Sequence, residues 1–479
     1  MILPTTNLAV DVLRPGHDGY DATARGFYST GRPALVMRPR DPDGVAAALT
    51  YAVRHDLPVA VRSGGHSPLD RSAGAGEMVI DLAHLDGVEV LDAGRRLVRV
   101  GGGATWGRVA TALDPHGWAI TAGDTTSVGV GGLTLGGGIG WMVRRYGLAI
   151  DNLVGARMVT ADGRLLTTSH EDHPELFWAL RGGGGNFGVV VDFDFHAQPV
   201  ATVHFGSVTY RVDDPADLLR RWRDAMRAAP DELSSTLALT PPMAGAPPSA
   251  TLLLCHAPEP ATTASGRDAV IEPLLKLGTV TAAKVSECRY VDILEDAAPP
   301  RGLRLTVRNT LAPTLDDAVV AAIVRLRASP VPTAVAVRSL GGAFSRVPGD
   351  ATAFAHRDAE AMVVAALMLP DTATLADVER ALVPWRAVAA LGAGPYVNFQ
   401  ARRPQRTWRR RTRARRTPAW PRSNRPTTRT TGFRSTTTLR LLGWRSAAQR
   451  PDKDRAGDPP SRHRPRPPAV TNLTHRRER

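Results

Sequence analysis

The sequence predicts an α+β fold of two domains, followed by a tail of different composition. Over residues 1–200, short apolar strands alternate with helices and glycine-rich loops. Over residues 201–400, longer helices alternate with strands, and glycine becomes sparser. Over residues 401–479, neither the helical nor the strand period is sustained. A chain of 479 residues is long enough for two packed domains.

The first domain is predicted from short elements with clear start and turn signals. Asp41 with Pro42 indicates the start of a helix that continues to His55. Asp162-Gly163, between two apolar runs, indicates a hairpin. Further helices are predicted over residues 105–113 and 174–180. Strands are predicted over residues 34–37, 58–61, 78–82, 88–91, 97–100, 153–160, 164–168 and 189–195.

The second domain is predicted from helices with apolar residues at helical spacing, separated by apolar strands. The helices are predicted near residues 214–228, 264–276, 315–327 and 373–389. The strands are predicted over residues 204–212, 236–239, 252–255 and 362–369.

The net charge of +14 is distributed unevenly. Residues 401–479 contain 23 Arg and one Lys against three Asp and one Glu, a net charge of +20, so the preceding 400 residues carry −6. Nucleic-acid binding through this basic tail is a minor alternative, because the tail has no recognition motif of that class. Cys255 and Cys288 are too few for a disulfide framework or a four-cysteine metal site.

The sequence contains neither a signal peptide pattern at its start nor a run of about 18 apolar residues. We therefore expect a cytoplasmic protein without membrane contact.

Residues 121–140 (TAGDTTSVGVGGLTLGGGIG) include eight glycines, too many for a regular element. Their spacing fits neither the dinucleotide fingerprint G-x-G-x-x-G nor a phosphate loop that ends in Lys and Ser or Thr. Two interpretations remain: a loop that packs two strands tightly, or a backbone cradle for a pyrophosphate or a flat ring. His66 follows Gly64-Gly65 at a strand end, where a neutral imidazole is a candidate nucleophile; an ordinary structural histidine is the alternative.

Four motifs in a fixed order carry a resemblance to a known family. They are residues 62–67 (RSGGHS), 101–106 (GGGATW), 128–146 (VGVGGLTLGGGIGWMVRRY) and 176–190 (LFWALRGGGGNFGVV). Over about residues 25–400, the chain resembles the FAD-linked oxidases of the berberine-bridge-enzyme and 6-hydroxynicotine-oxidase type. This implies the two-lobed PCMH-type FAD-binding domain of the vanillyl-alcohol-oxidase superfamily over residues 1–200. An α/β substrate domain with a large antiparallel sheet is implied over residues 201–400.

The resemblance also implies how FAD is held. His66 is expected to be joined covalently to the flavin 8α-methyl. Some relatives have a second link through a cysteine, but this sequence has Thr125 there, and a hydroxyl cannot replace a thiolate. Attachment through His66 alone is therefore expected. The implied cofactor-binding residues are Arg62, Ser63, Gly64, Gly65, His66, Ser67, Gly123, Asp124, Thr125, Val128, Gly129, Gly132, Leu135, Gly136, Gly137, Gly138, Gly140, Trp141, Asn186, Gly188 and Val190.

In this family the substrate hydride passes to flavin N5, O2 reoxidises the flavin, and a base removes the substrate proton. Related enzymes use a tyrosine of a Tyr-x-Asn-Tyr-like motif, which corresponds here to Tyr396-Val397-Asn398-Phe399. Tyr396 is therefore the candidate base, with a strand tyrosine whose hydroxyl lies at the surface as the alternative. A phenol with a pKa near 10 needs help to act at neutral pH. The expected partners are O2 and a small molecule with an alcohol or amine group.

Residues 401–479 depart from the family pattern. Relatives continue with a segment like Y-D-P-x-N-x-F-x-x-N-x-N, whereas this chain has TTRT at 427–430 and STT at 435–437. GC-rich codons for Tyr-Asp-Pro-Asp-Asn and Phe-Asn-His-Asn, read one base late, encode these two strings. The hypothesis is a frameshift near residue 400 that produced a disordered Arg/Pro-rich tail. The alternative to an active oxidase is therefore an inactive or unstable remnant of the family.

Overall fold

The computed structural model describes residues 9–28, 30–68, 76–241, 248–259, 262–296 and 302–399. The prediction of a disordered tail falls on residues 401–479, which lie outside the described residues. The strands of the described part form three sheets.

The first sheet has four strands in the order β1-β2-β4-β3, with β2, β4 and β3 parallel and β1 antiparallel at the edge. Helix α2 (Pro42–Arg54) packs its apolar face on this sheet, and the Asp41 carboxylate caps it by accepting the Gly44 N–H at 2.7 Å. A shorter helix, α1, covers Tyr20–Ala24. The strands are β1 Val10–Leu13, β2 Leu35–Pro39, β3 Val59–Arg62 and β4 Met78–Asp81.

The second sheet is antiparallel, with five strands in the order β5-β6-β9-β7-β8. The predicted hairpin joins β7 to β8, and Gly163 adopts a φ of 83° in its turn. The strands are β5 Val88–Asp92, β6 Leu97–Gly101, β7 Leu153–Val159, β8 Leu165–Ser169 and β9 Val189–His196. The helices of this region are α3 Trp106–Leu113, α4 Val130–Leu135, α5 Val143–Tyr146 and α6 Pro174–Leu180.

The third sheet is antiparallel throughout, with seven strands in the order β13-β10-β12-β11-β15-β16-β14. One face packs on helices, and residues of β14 and β16 contact the glycine-rich segment. The strands are β10 Thr202–Arg211, β11 Leu233–Leu239, β12 Ser249–His256, β13 Thr279–Arg289, β14 Leu303–Ala312, β15 Thr333–Ser339 and β16 Ala361–Pro370. The helices are α7 Pro215–Ala228, α8 Ala264–Leu275, α9 Asp317–Arg327, α10 Ala343–Arg346, α11 Leu375–Ala381 and α12 Trp385–Leu391.

The structure corrects two of the predicted elements. The helix predicted over residues 373–389 is divided into α11 and α12, because Pro384 lacks the N–H that a continuous helix would need. The glycine-rich stretch, predicted to be too irregular for an element, contains the short helix α4. The other predicted helices after residue 200 are confirmed within about two residues.

A buried ion pair connects the second and third sheet regions. Arg357 donates from Nη1 and Nη2 to the two carboxylate oxygens of Asp151, both at 2.7 Å. The two side chains are only 3% and 9% exposed. Asp151 also accepts the Leu148 N–H at 2.7 Å, so its charge is well satisfied. This contact fixes the loop after α5 against the region that leads into β16.

Candidate functional site

A cavity of about 580 Å³ lies where the loop after β3, the glycine-rich segment, the loop before β9, strand β14 and residues 396–399 meet. Small-molecule sites usually have volumes of roughly 300–1,000 Å³. Sixteen predicted site residues line it together: Ser63, Gly64, Gly65, His66, Ser67, Gly123, Asp124, Thr125, Val128, Gly129, Gly132, Leu135, Gly136, Gly188, Val190 and Tyr396.

His66 lies on the cavity wall with its ring held on two sides. Its Nε2 atom is 2.8 Å from the Ser127 hydroxyl. The Phe27 ring stacks on the imidazole with centroids 4.6 Å apart. Burial lowers the pKa of His66 below its usual value, with Asp296 opposing and Arg62 reinforcing the shift. The ring is therefore neutral at pH 7, which is the state in which an imidazole nitrogen is nucleophilic.

Close packing explains most of the glycines in the glycine-rich segment. A Cβ on Gly64 would overlap the backbone of Gly129, and a Cβ on Gly129 would overlap Gly64 in return. A Cβ on Gly140 would overlap the Ala122 carbonyl. Gly132 differs, because it lines the cavity and its Cβ would meet no protein atom within 4 Å. The segment is thus a tightly packed loop as well as a cavity wall.

Tyr396 is 2% exposed and lies just before a short 3₁₀ helix, Val397–Phe399, rather than in a surface strand. Its hydroxyl oxygen accepts hydrogen bonds from the Gly138 N–H at 3.0 Å, the Ile139 N–H at 3.3 Å and the Asn398 amide at 2.8 Å. Burial raises the pKa of Tyr396 above its ordinary value, although these donors act in the opposite direction.

Six predicted site residues do not line the cavity: Arg62, Gly137, Gly138, Gly140, Trp141 and Asn186. The Arg62 guanidinium lies against the Gly65 turn, where a Cβ would come within 2.6 Å of it. Gly137 and Gly138 adopt φ values of 127° and 85° behind the cavity wall. Asn186 is exposed and its amide donates to the Gly183 carbonyl at 2.9 Å.

Trp141 is buried beneath Arg338, whose guanidinium carbon is 4.8 Å from the ring centroid. Arg338 also donates from Nη2 to the Asp124 carboxylate at 2.6 Å. Burial alone would raise the pKa of Asp124, but the Arg338 cation and its hydrogen bond hold that pKa below the ordinary value. An ionised Asp124 therefore lies at the cavity wall.

Several residues of the site were not predicted from the sequence. Phe27, Tyr28, Leu305 and Val307 line the cavity. Asn309 of β14 holds the Tyr396 backbone twice, accepting its N–H at 2.6 Å and donating to its carbonyl at 3.0 Å. These residues approach the motifs only through long-range packing. A motif pattern therefore had no local signal for them.

The lining fits a dinucleotide that carries a flat ring. Glycine backbone forms much of the wall, and successive backbone N–H groups are a common binding site for a pyrophosphate. Val128, Leu135, Val190 and Val307 add apolar side chains suited to a ring face. The open space beside Gly132 is the part of the wall that a side chain would fill.

Comparison with known proteins agrees with this fit. The FAD binding domain family matches residues 33–169. An FAD-linked oxidoreductase of Bacillus subtilis, YgaK, is 31% identical over 338 residues, 68% of this chain and 73% of that protein. The chain belongs to the FAD-linked oxidoreductases. The α+β class and the large antiparallel sheet expected of that family are confirmed.

Two 6-hydroxynicotine oxidases are also similar to this FAD-linked oxidoreductase, one in sequence and one in structure. (R)-6-hydroxynicotine oxidase of Paenarthrobacter nicotinovorans is 36% identical over 228 residues, 47% of this chain but only half of that enzyme's length. The structure of 6-hydroxy-D-nicotine oxidase from Arthrobacter nicotinovorans has 25% identity and a TM-score of 0.73, covering 84% of this chain and 91% of that one.

Glucooligosaccharide oxidase of Acremonium strictum, described with a 6-S-cysteinyl, 8α-N1-histidyl FAD, shares the fold. Its TM-score is 0.71 at 24% identity, with 82% of this chain and 88% of that chain covered. Among the described helices of this oxidoreductase, none combines the length and apolar character needed to cross a bilayer.

Proposed function

We propose that this FAD-linked oxidoreductase is an oxidase that acts on an alcohol or amine group of a small metabolite, with FAD attached covalently through His66. Residues 1–200 would form the FAD-binding domain and residues 201–400 the substrate domain. The observation that carries the proposal is a neutral, oriented His66 on the wall of a glycine-rich cavity that Tyr396 also lines. Relatives named for oxidation of 6-hydroxynicotine and of glucooligosaccharides support a small-molecule substrate.

The loop of Ser63–Ser67 and the glycine-rich segment would hold the FAD pyrophosphate and ring edge through backbone N–H groups. Gly188 and Val190, which also line the cavity, would contact it as well. Bound FAD supplies the acceptor for a substrate hydride at N5 and passes the electrons to O2. Thr125 lines the cavity with its hydroxyl 3.1 Å from Asp124, and it offers no thiolate for a second link.

Tyr396 would take the proton of the substrate alcohol or amine. Three donors converge on its oxygen, and each of them stabilises a phenolate more than a phenol. These three donors are the groups that would assist Tyr396 as a base, and the sequence alone did not identify them. Because burial still raises the pKa of Tyr396, the phenolate is a minor form at neutral pH. The proton-accepting form should therefore increase with pH.

Oxygen consumption tests the proposal. The purified full chain is incubated with alcohols and amines, including 6-hydroxynicotine and a glucooligosaccharide, while O2 uptake and hydrogen peroxide release are measured. We expect stoichiometric peroxide with at least one compound and bleaching of the flavin spectrum by that compound without O2. A flavin-loaded protein that no compound bleaches would contradict the oxidase proposal. A colourless protein would instead favour the inactive remnant.

A further inference from the structure

A chain of three side chains runs from His66 away from the cavity. The Ser127 hydroxyl, 2.8 Å from His66 Nε2, is also 2.6 Å from Asp296 Oδ1. The same carboxylate oxygen accepts the Ser127 backbone N–H at 3.0 Å. Asp296 lies 169 residues beyond Ser127 in the sequence, just before β14. We call these three residues, His66, Ser127 and Asp296, the His66 relay.

Counting protons fixes the direction of each hydrogen bond in the relay. A serine hydroxyl has one proton, and a carboxylate has none to donate. Ser127 therefore donates a hydrogen bond to Asp296 and accepts one from the N–H of His66 Nε2. His66 must carry its proton on Nε2, which leaves Nδ1 with the free electron pair. Of the two ring nitrogens, Nδ1 is thus the nucleophile.

The surroundings keep this arrangement rigid. The Phe27 ring, stacked on the imidazole, limits rotation of the His66 ring. The loop that carries Ser127 is fixed to the loop that carries His66, because Gly64 and Gly129 pack backbone against backbone. Thr126, next to Ser127, donates from its hydroxyl to the Leu294 carbonyl at 2.8 Å and so ties the Asp296 segment to the same loop.

We propose that Asp296, acting through Ser127, positions His66 and accepts its Nε2 proton during covalent attachment of the flavin through Nδ1. The inference rests on the proposed function, because it requires a flavin in the cavity. In this step His66 Nδ1 forms a bond to the 8α carbon as one methyl C–H bond breaks. The methyl hydrogen leaves as a proton, and the two electrons of that bond reduce the ring. O2 then takes these electrons and becomes hydrogen peroxide.

The role of Asp296 follows from the charge on His66. When Nδ1 becomes bonded to carbon, the imidazole still carries its Nε2 proton and is cationic. That proton passes to Ser127 as the Ser127 proton passes to Asp296, so the carboxylate neutralises the ring. An acceptor placed in this way increases the rate of a proton transfer by roughly 10²–10⁴-fold, and a residue that only orients another contributes about 10–100-fold.

The rate of covalent attachment tests the relay. The full chain is prepared without flavin, mixed with FAD, and sampled over time by acid precipitation and gel fluorescence. Non-covalent binding is measured in the same samples by FAD fluorescence quenching. Asp296→Asn and Ser127→Ala should slow attachment at least tenfold while FAD still binds. Ser127→Thr retains the hydroxyl and should attach flavin at nearly the wild-type rate.

The matched control is Asp292→Asn, which removes the same charge four residues earlier. Asp292 is exposed and pairs with Arg289 rather than with the relay. This variant should attach flavin at the wild-type rate. Asp296→Ala adds a test of proton acceptance, because added acetate should restore attachment there and not in Ser127→Ala. NMR of the flavin peptide should place the bond on Nδ1.

The outcomes separate the relay from the proposed function. Asp296→Asn and Ser127→Ala attaching flavin within twofold of the wild-type rate would overturn the relay alone. An effect of Ser127→Ala without one of Asp296→Asn would overturn the role of Asp296, and a bond on Nε2 would overturn the tautomer argument. A wild-type protein that binds FAD without covalent attachment would overturn both the relay and the proposed His66 link.

Discussion

Replacing Gly132 with alanine separates ligand contact from chain packing in the glycine-rich segment. Gly132 lies within helix α4, and its Cβ would meet no protein atom within 4 Å. In the protein without ligand, the substitution should therefore raise stability by about 0.5–1 kcal/mol, because alanine is the better helix former. If no ligand occupied the space beside Gly132, nothing else would change.

The added methyl group would extend from the wall into the cavity of about 580 Å³. Overpacking of a well-fitted contact costs about 1–3 kcal/mol. In binding terms that is a weakening of FAD affinity by about 5- to 150-fold, since about 1.4 kcal/mol corresponds to a factor of ten. The substitution should thus stabilise the empty protein and weaken its cofactor binding.

The assay compares non-covalent FAD binding by fluorescence quenching in a His66→Ala background, so that attachment does not obscure the affinity. Thermal unfolding without FAD is measured in parallel. Gly87→Ala is the control, because its Cβ also meets no atom within 4 Å but Gly87 is not part of the cavity wall. FAD affinity equal in Gly132→Ala and Gly87→Ala would refute the assignment of this wall to the cofactor.

Three further predictions concern charge and protonation. Arg357→Ala should lower the unfolding free energy by about 3–5 kcal/mol in urea, because Asp151 is left buried without its partner. Arg211→Ala removes only an exposed ion pair and should leave the unfolding free energy almost unchanged. Burial lowers the pKa of His256 to about 4, so His256 takes up a proton on unfolding, and the unfolding free energy should fall as pH decreases from about 6.5 to 4. In His256→Gln this fall should be smaller, and a fall as steep as in the wild type would contradict the prediction. Since burial raises the pKa of Tyr396 above 10, kcat/KM should rise with pH from 7 to 9. In Tyr396→Phe, kcat/KM should fall by about 10²–10⁴-fold and should no longer depend on pH in this range. A wild-type kcat/KM that does not change with pH would exclude Tyr396 as the base.

Local signals in the sequence predicted the elements that local chemistry determines. The Asp41 cap, the Asp162-Gly163 hairpin and helix α7 each depend on residues close together in the chain. Strand β13 was missed because it lies at the sheet edge with mostly exposed residues, so the alternation of apolar and polar side chains is absent. Its place is determined by pairing with β10.

Some residues of the candidate site could likewise be predicted from the sequence, and others could not. The motifs around His66 and Gly132 were recognisable, because the residues of each motif lie close together in the sequence. Asn309 and Asp296 were not, since each meets the site through a contact across 87 and 169 residues respectively. The helper of Tyr396 could not be found either, because two of its three donors are backbone N–H groups, which no side-chain pattern identifies.

Covalent attachment of the flavin to His66 can be examined on a single gel. The purified full chain and its His66→Ala variant are precipitated with acid, denatured, separated by electrophoresis and examined for flavin fluorescence. We expect a fluorescent band at the full-length position for the wild-type chain and none for His66→Ala. A wild-type band without fluorescence, or a variant band as bright as the wild type, would contradict it.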